Sequence, residues 1–149
     1  MRGTLSLVLG SVVLSACATV PLYQRLDVKD STGTLRGGRE AIALIVDDFV
    51  ANLAADNRTK ARFGELKPPE VARLKSLLAD QICEVSGGPC AYYGRDMKTT
   101  HAGMKITEAE WNATVEALVK ALDKYRIAAK EKEELLAALG PMKKDIVGQ

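Results

Sequence analysis

Apolar residues recur along this chain at the spacing of one helix face. Ile42, Ile45, Val46, Phe49, Val50 and Leu53 form a first stripe, ended by Asp56-Asn57. Val71, Leu74, Leu77, Leu78, Ile82 and Val85 form a second. It opens at Pro68-Pro69, since proline suits a first helical turn, and stops at Gly87-Gly88-Pro89. Thr107-Glu108-Ala109-Glu110 reads as a capping box. The helix it opens carries Trp111, Val115, Leu118, Val119, Leu122 and Tyr125. Leu135, Leu136, Leu139, Met142 and Ile146 mark a last helix, which Pro141 should kink or restart. Pro21 to Leu26 allows one helical turn. Residues 27–38 are rich in turn formers and read as a linker or loop, and residues 90–106 as a loop plus a short helix. No segment alternates with period two over a useful length, so the predicted class is all-α, without strands.

The first residues read as an address. Arg2 supplies a positive start, and Leu5 to Leu14 is an apolar run with the length of a secretory core. It is too short to span a bilayer, which takes roughly 20 apolar residues. It ends in Leu14-Ser15-Ala16-Cys17, which resembles the bacterial lipobox, where the cysteine is lipidated and becomes the mature N-terminus. An ordinary cleavage site near Ala16 or Ala18, and a chance match in an uncleaved helix, are the competing readings. The resemblance implies a lipoprotein-type signal peptide over 1–16, a lipidated segment and linker over 17–36 with Cys17 as the lipidation site, and a globular domain over 37–149. Ala18 leans the sorting towards the outer membrane, facing the periplasm.

Composition narrows the function classes. The 149 residues suit one domain; 47% are hydrophobic and 27% charged, which excludes a disordered chain. Aromatics are only 5%, so the core must be filled mainly by aliphatic side chains. A formal net charge of +2 leaves no electrostatic footprint for nucleic acid. There is one histidine, His101, so a multi-histidine metal site is excluded. No G-x-G-x-x-G motif follows a strand, so the chain carries no nicotinamide or flavin fingerprint.

Three pieces in order carry a more specific signal. They are Gly37-Gly38-x-x-Ala41-Ile42 with Val46-Asp47-Asp48-Phe49; then Gly87-Gly88-Pro89, Tyr92-x-Gly94 and Met97-Lys98-x-x-His101-x-x-Met104-x-Ile106-Thr107; then Ala138-Leu139-Gly140-Pro141-Met142-x-Lys144-Asp145. Together they resemble the group 1 truncated globins, over roughly residues 37–149. The resemblance implies a globin-like two-over-two helical sandwich around haem b, with His101 as the proximal ligand to iron. A neutral imidazole suits haem iron, and a single histidine leaves the opposite face open for a gas.

The resemblance also assigns pocket positions. Phe63 would pack on the haem face, and Met97 lies on the turn before His101. Tyr92 would bond a haem propionate, although a half-exposed loop tyrosine is equally consistent. Arg73, Lys75 and Lys98 are candidate propionate partners by proximity alone. The family commonly places a tyrosine donor after the phenylalanine of the first long helix; here that place is Val50, which has no donor. The next distal positions fall on Leu74 and Leu78. Gln81 is the only amide on that stripe, a substitute distal donor or a residue of an exposed face. An apolar pocket lacks a hydrogen bond worth about 1–3 kcal/mol, so oxygen should leave about one to two powers of ten faster than from donor-bearing relatives.

Cys83 and Cys90 lie seven apart around Gly87-Gly88. Two free thiols or a disulfide are both open, and an exported location favours the bond. Zinc held by His101, Cys83, Cys90 and a carboxylate is disfavoured, because no ligand pair has zinc-finger spacing. The resemblance implies reversible binding of O2 or another diatomic gas at the cell envelope. NO dioxygenation with a separate reductase, a haem-based gas or redox sensor, and a structural lipoprotein that has lost haem are the alternatives.

Overall fold

The stop and start signals of the sequence bound the helices of the computed structural model, which describes residues 19–149. Arg2, the Leu5–Leu14 run and Cys17 lie outside the described residues. In chain order the elements are α1 (Leu22–Arg25), β1 (Asp27–Lys29), β2 (Leu35–Gly37), α2 (Gly38–Ala55), α3 (Lys60–Phe63), α4 (Pro68–Val85), α5 (Met97–His101), α6 (Glu108–Lys124) and α7 (Ala129–Leu139). A 3-10 segment, Gly140–Asp145, follows. Pro141 accounts for that last change: α7 ends as Gly140 donates its N–H to Leu136, and the proline restarts the chain in the tighter turn. Among the described residues no helix is long and apolar enough to cross a membrane.

Helices α2, α4, α6 and α7 form the sandwich: α2 packs against α4 and α6, and α7 closes on both of those. The predicted face of α2 is the buried one, from Ala41 and Ile42 to Val50 and Leu53. Facing it, α6 buries Ala113, Ala117 and Ala121, one turn apart. These small side chains let the two backbones approach, and Asn52 Nδ2 reaches the Ala117 carbonyl at 3.1 Å. The α6 cap has the predicted form. Thr107 Oγ1 accepts from the Glu110 N–H at 3.2 Å, and the Glu110 carboxylate accepts from the Thr107 N–H at 2.8 Å.

The region expected to be a linker is instead part of the fold. β1 and β2 pair antiparallel, with Val28 opposite Arg36. The turn is built on Asp30, whose Oδ1 accepts from the N–H groups of Thr32 (2.9 Å) and Thr34 (3.0 Å), while Oδ2 accepts from Arg36 Nε at 2.8 Å. Bonds from Thr32 and Arg36 hold the Asp30 carboxyl well below the usual carboxylate range. Leu22, Leu26 and Val28 are buried in the same core as α2 and Leu135. Arg25 ties α1 to α7 through Glu131 and Glu134. Among the described residues the folded unit therefore includes Leu22 to Gly37 as well as the part from Gly37 on, and the all-α fold carries one short hairpin there. Strands of three residues are too short to show alternation, and a turn-rich hairpin has the composition of a linker.

Two glycines let α1 sit tightly against the helices. Gly38 takes φ +55°, and a Cβ there would lie 2.7 Å from the Tyr23 hydroxyl, which accepts the Arg39 N–H at 3.1 Å. A Cβ on Gly88 would sit 2.5 Å from the Tyr23 ring and 2.6 Å from Cys83 Sγ. Gly88 thus lets the chain turn back tightly enough for Cys83 and Cys90 to form a disulfide, with Cα atoms 5.8 Å apart. A loop this short contributes about 2 kcal/mol by restricting the unfolded chain. At the other end, Lys105 N–H donates to the Gln149 carbonyl (2.7 Å) and Gly148 N–H to Ile106 (2.9 Å), pinning the C-terminus beside the segment that follows α5.

Glu110 does more than cap α6. It also pairs with Arg62 of the α2–α4 connection. Arg62, and then the Thr107 N–H and hydroxyl, outweigh the opposing effect of burial and lower its pKa from 4.5 to about 2. A carboxylate depressed in the folded state adds stability above the unfolded value and loses it as pH falls through the folded one. Glu110→Gln is therefore expected to be less stable than the parent at neutral pH. The gap should close between pH 4.5 and about 2, measured by urea unfolding at a series of pH values. A gap independent of pH would contradict this assignment.

Candidate functional site

The helices do not close completely on one another. Between them lies a cavity of about 540 Å³, within the roughly 300–1,000 Å³ of cofactor and small-molecule sites. Phe49 and Leu53 of α2, Phe63 of α3, and Leu74, Leu78 and Ile82 of α4 line one side. Trp111, Val115 and Leu118 of α6, with Leu136 and Leu139 of α7, line the other, and α5 contributes Met97 and His101. These are the same stripes that fill the core. Each long helix divides its apolar surface between packing and cavity wall.

The polar wall groups are largely occupied by one another. Thr59 Oγ1 donates to the Leu53 carbonyl at 2.6 Å, and Thr114 Oγ1 to that of Glu110 at 2.8 Å. Thr100 Oγ1 bonds the Arg95 carbonyl at 3.2 Å. Arg62 pairs with Glu110, and Lys143 with Glu108 at 2.6 Å. His101 is different. Its Nδ1 lies 2.8 Å from the Met97 carbonyl, one helical turn back. A carbonyl only accepts, so Nδ1 carries a proton, and in the neutral ring Nε2 then keeps its lone pair. That is the tautomer of a metal-ligating imidazole, oriented by the bond its other nitrogen makes. Helix α5 is started by Asp96, whose Oδ1 accepts the Thr99 N–H at 2.9 Å. The bonds from Thr99 hold the Asp96 carboxyl below its ordinary pKa.

Of the residues singled out from sequence, Phe63, Leu74, Leu78, Gln81, Met97 and His101 meet at the cavity. Val50 does not. It is buried in the packed core, and its neighbour Phe49 is the residue that reaches the wall. A helix turns about 100° per residue, so consecutive positions face different neighbours. Tyr92 is also outside the wall, and its hydroxyl donates to the Arg95 carbonyl at 2.9 Å, within its own loop. Arg73 and Lys98 are exposed, and Lys75 pairs with Asp47 of α2 at 3.0 Å. The cations on the wall are Arg62 and Lys143 instead. Arg62 adjoins Phe63 and Lys143 adjoins Met142, so both were one step from residues already marked. Gln81 is buried on the wall, but its amide is turned to the sulfurs of Met97 and Met142, each 3.5 Å away. As a distal donor it is already engaged, on the elements next to His101.

An apolar slot of this size, one imidazole presenting a lone pair, and two wall cations for acidic substituents fit haem b. The comparisons with known proteins agree with that chemistry. A group 1 truncated hemoglobin of Mycolicibacterium paratuberculosis is 28% identical over 110 residues, 74% of this chain and 79% of that protein. One from a Nostoc species is 26% identical over 113 residues, 76% of this chain and 93% of its own. The truncated hemoglobin of Tetrahymena pyriformis in its Fe(III) form superposes with a TM-score of 0.75 at 23% identity, covering 87% of this chain and all of the other. The 2/2 hemoglobin of a Synechococcus species, in the cyanomet state with covalently attached heme, superposes with 0.72 at 23% identity, covering 86% and 98%. The family model of bacterial-like globins matches residues 35–147, and the chain belongs to that family.

Proposed function

We propose that this protein holds haem b in the cavity with His101 Nε2 as the proximal ligand, and binds O2 or another diatomic gas while anchored at the cell envelope. The observation that supports the reading is the His101–Met97 bond, which favours the ligating tautomer beside an apolar slot. When bound, haem supplies an iron centre able to take up a diatomic gas. The chain's own residues do the rest. Met97 orients the imidazole. Phe49, Leu53, Phe63, Leu74 and Leu78 exclude water from the opposite side, and Arg62 and Lys143 bring positive charge to the wall for the haem carboxylates. Phe49, Leu53, Phe63, Leu74 and Leu78 carry no hydrogen-bond donor, and the Thr59 hydroxyl beside them already donates to the Leu53 carbonyl. A gas held against these side chains would leave without breaking a hydrogen bond.

The envelope location is supported by the order Arg2, apolar run, Leu14-Ser15-Ala16-Cys17, and by the Cys83–Cys90 disulfide, which persists in an oxidising compartment. The outer membrane facing the periplasm is the destination this reading favours. A separate reductase would act as redox partner if the bound gas turns over, since the chain has no flavin or nicotinamide fingerprint.

Three outcomes are expected. The purified chain shows a Soret band on haem addition, and His101→Ala loses it or shows the spectrum of loosely held haem. An unchanged spectrum in the variant rules His101 out as ligand, and no band in the parent points to a scaffold without haem. In stopped flow, oxygen release from the parent is fast, and Leu78→Gln slows it about tenfold by adding a donor; a slow parent rate speaks against the apolar distal side. Expressed with its leader in a bacterial host, the parent sediments with membranes, and Cys17→Ser moves it to the soluble fraction; a soluble parent removes the lipid anchor from the proposal.

A further inference from the structure

We infer that Gln81 is a positioning residue for the His101 imidazole, acting through Met97; this rests on the reading of His101 as the iron ligand. Gln81 lies near the C-terminal end of α4 and is 9% exposed. A leucine would continue the apolar stripe here, so an amide needs a reason. Buried amides usually end on oxygen acceptors. Gln81 Nε2 instead lies 3.5 Å from Met97 Sδ and 3.5 Å from Met142 Sδ.

Thioethers are weak acceptors, so bond strength is not the gain. The gain is direction. One planar NH2 group carries two hydrogens, and here each has a sulfur from a different element: Met97 opens α5, and Met142 belongs to the 3-10 segment. Met97 also provides the carbonyl that takes the His101 Nδ1 proton. A continuous path therefore runs from Met142 through Gln81 and Met97 to the imidazole. Helix α5 has only five residues, too few to hold a helix alone. Its rotation, and with it the direction of Nε2, depends on what grips it from outside. Gln81 provides that grip from α4, an 18-residue helix packed against α2.

The test compares the haem-loaded parent with Gln81→Glu at pH 8, which keeps the shape and removes the N–H donors, and with Gln81→Leu. The readouts are the iron–histidine stretching band of the ferrous, gas-free protein and the rate of haem transfer to excess apomyoglobin. The band is expected to shift or broaden in both variants. Haem transfer is expected to speed up, because an imidazole held less firmly releases the iron sooner. Met97→Leu, which keeps the backbone carbonyl, should change the band in the same way and add nothing in combination with Gln81→Leu. A band of unchanged position and width in the folded variants overturns the inference, because a residue that only packs alters melting rather than the ligand's orientation. A parent without any iron–histidine band removes the ligand reading and this inference with it, a result separate from the previous one.

Discussion

A small helical protein that shapes a cavity of about 540 Å³ between its helices must fix that shape with the close contacts around it. The walls are apolar and hold no directional bonds across the cavity, so the perimeter sets the geometry. The α2–α6 contact does so through alanines that bring the backbones close. The disulfide fixes the end of α4 to the loop that leads into α5. The pinned C-terminus holds the segment just after α5, and α1 with its hairpin caps the side where α2 begins. Two of these restraints, the disulfide and the pinned C-terminus, flank the short helix that carries His101.

The same constraint explains what could be read from the amino acids. The four long helices were legible because a buried stripe has a period, and their ends were legible because Pro68-Pro69, Thr107 with Glu110, and Gly140-Pro141 act locally. Periodicity does not say which part of a stripe meets a neighbour and which part meets a cavity. Val50 and Phe49 differ in that respect, though both are apolar and adjacent. The hairpin was hidden for another reason. Its register is held by one aspartate and a few backbone bonds, and those leave no pattern distinct from an ordinary turn-rich loop. Arg62 and Lys143 were missed because a charge on a cavity wall has the same sequence appearance as a charge on a surface.

The distribution of polar groups is the second consequence of an apolar slot. A bare donor or acceptor on the wall would either draw in water or carry an unmet desolvation cost. Thr59, Thr114, Arg62 and Lys143 avoid this by bonding within the protein. His101 meets half of the requirement through Nδ1 and leaves Nε2 for a ligand. The site's chemistry is thus narrowed by subtraction: with these groups bonded inside the protein, His101 Nε2 stands on the wall without a hydrogen-bond partner among the described residues.

That subtraction also separates two ways of controlling a bound gas. One is a donor on the far side of the iron, which acts on the gas directly. The other is the geometry of the ligand on the near side, which acts through the metal. This chain has put apolar residues where the first would stand, with Leu74 and Leu78 on the wall and Val50 withdrawn into the core. Its buried amide and two thioethers are spent on the second, around Met97 and His101. If His101 ligates the iron as proposed, the pocket's buried amide and thioethers stand on the ligand's side rather than the gas's. Gas affinity would then depend first on how firmly the imidazole is held.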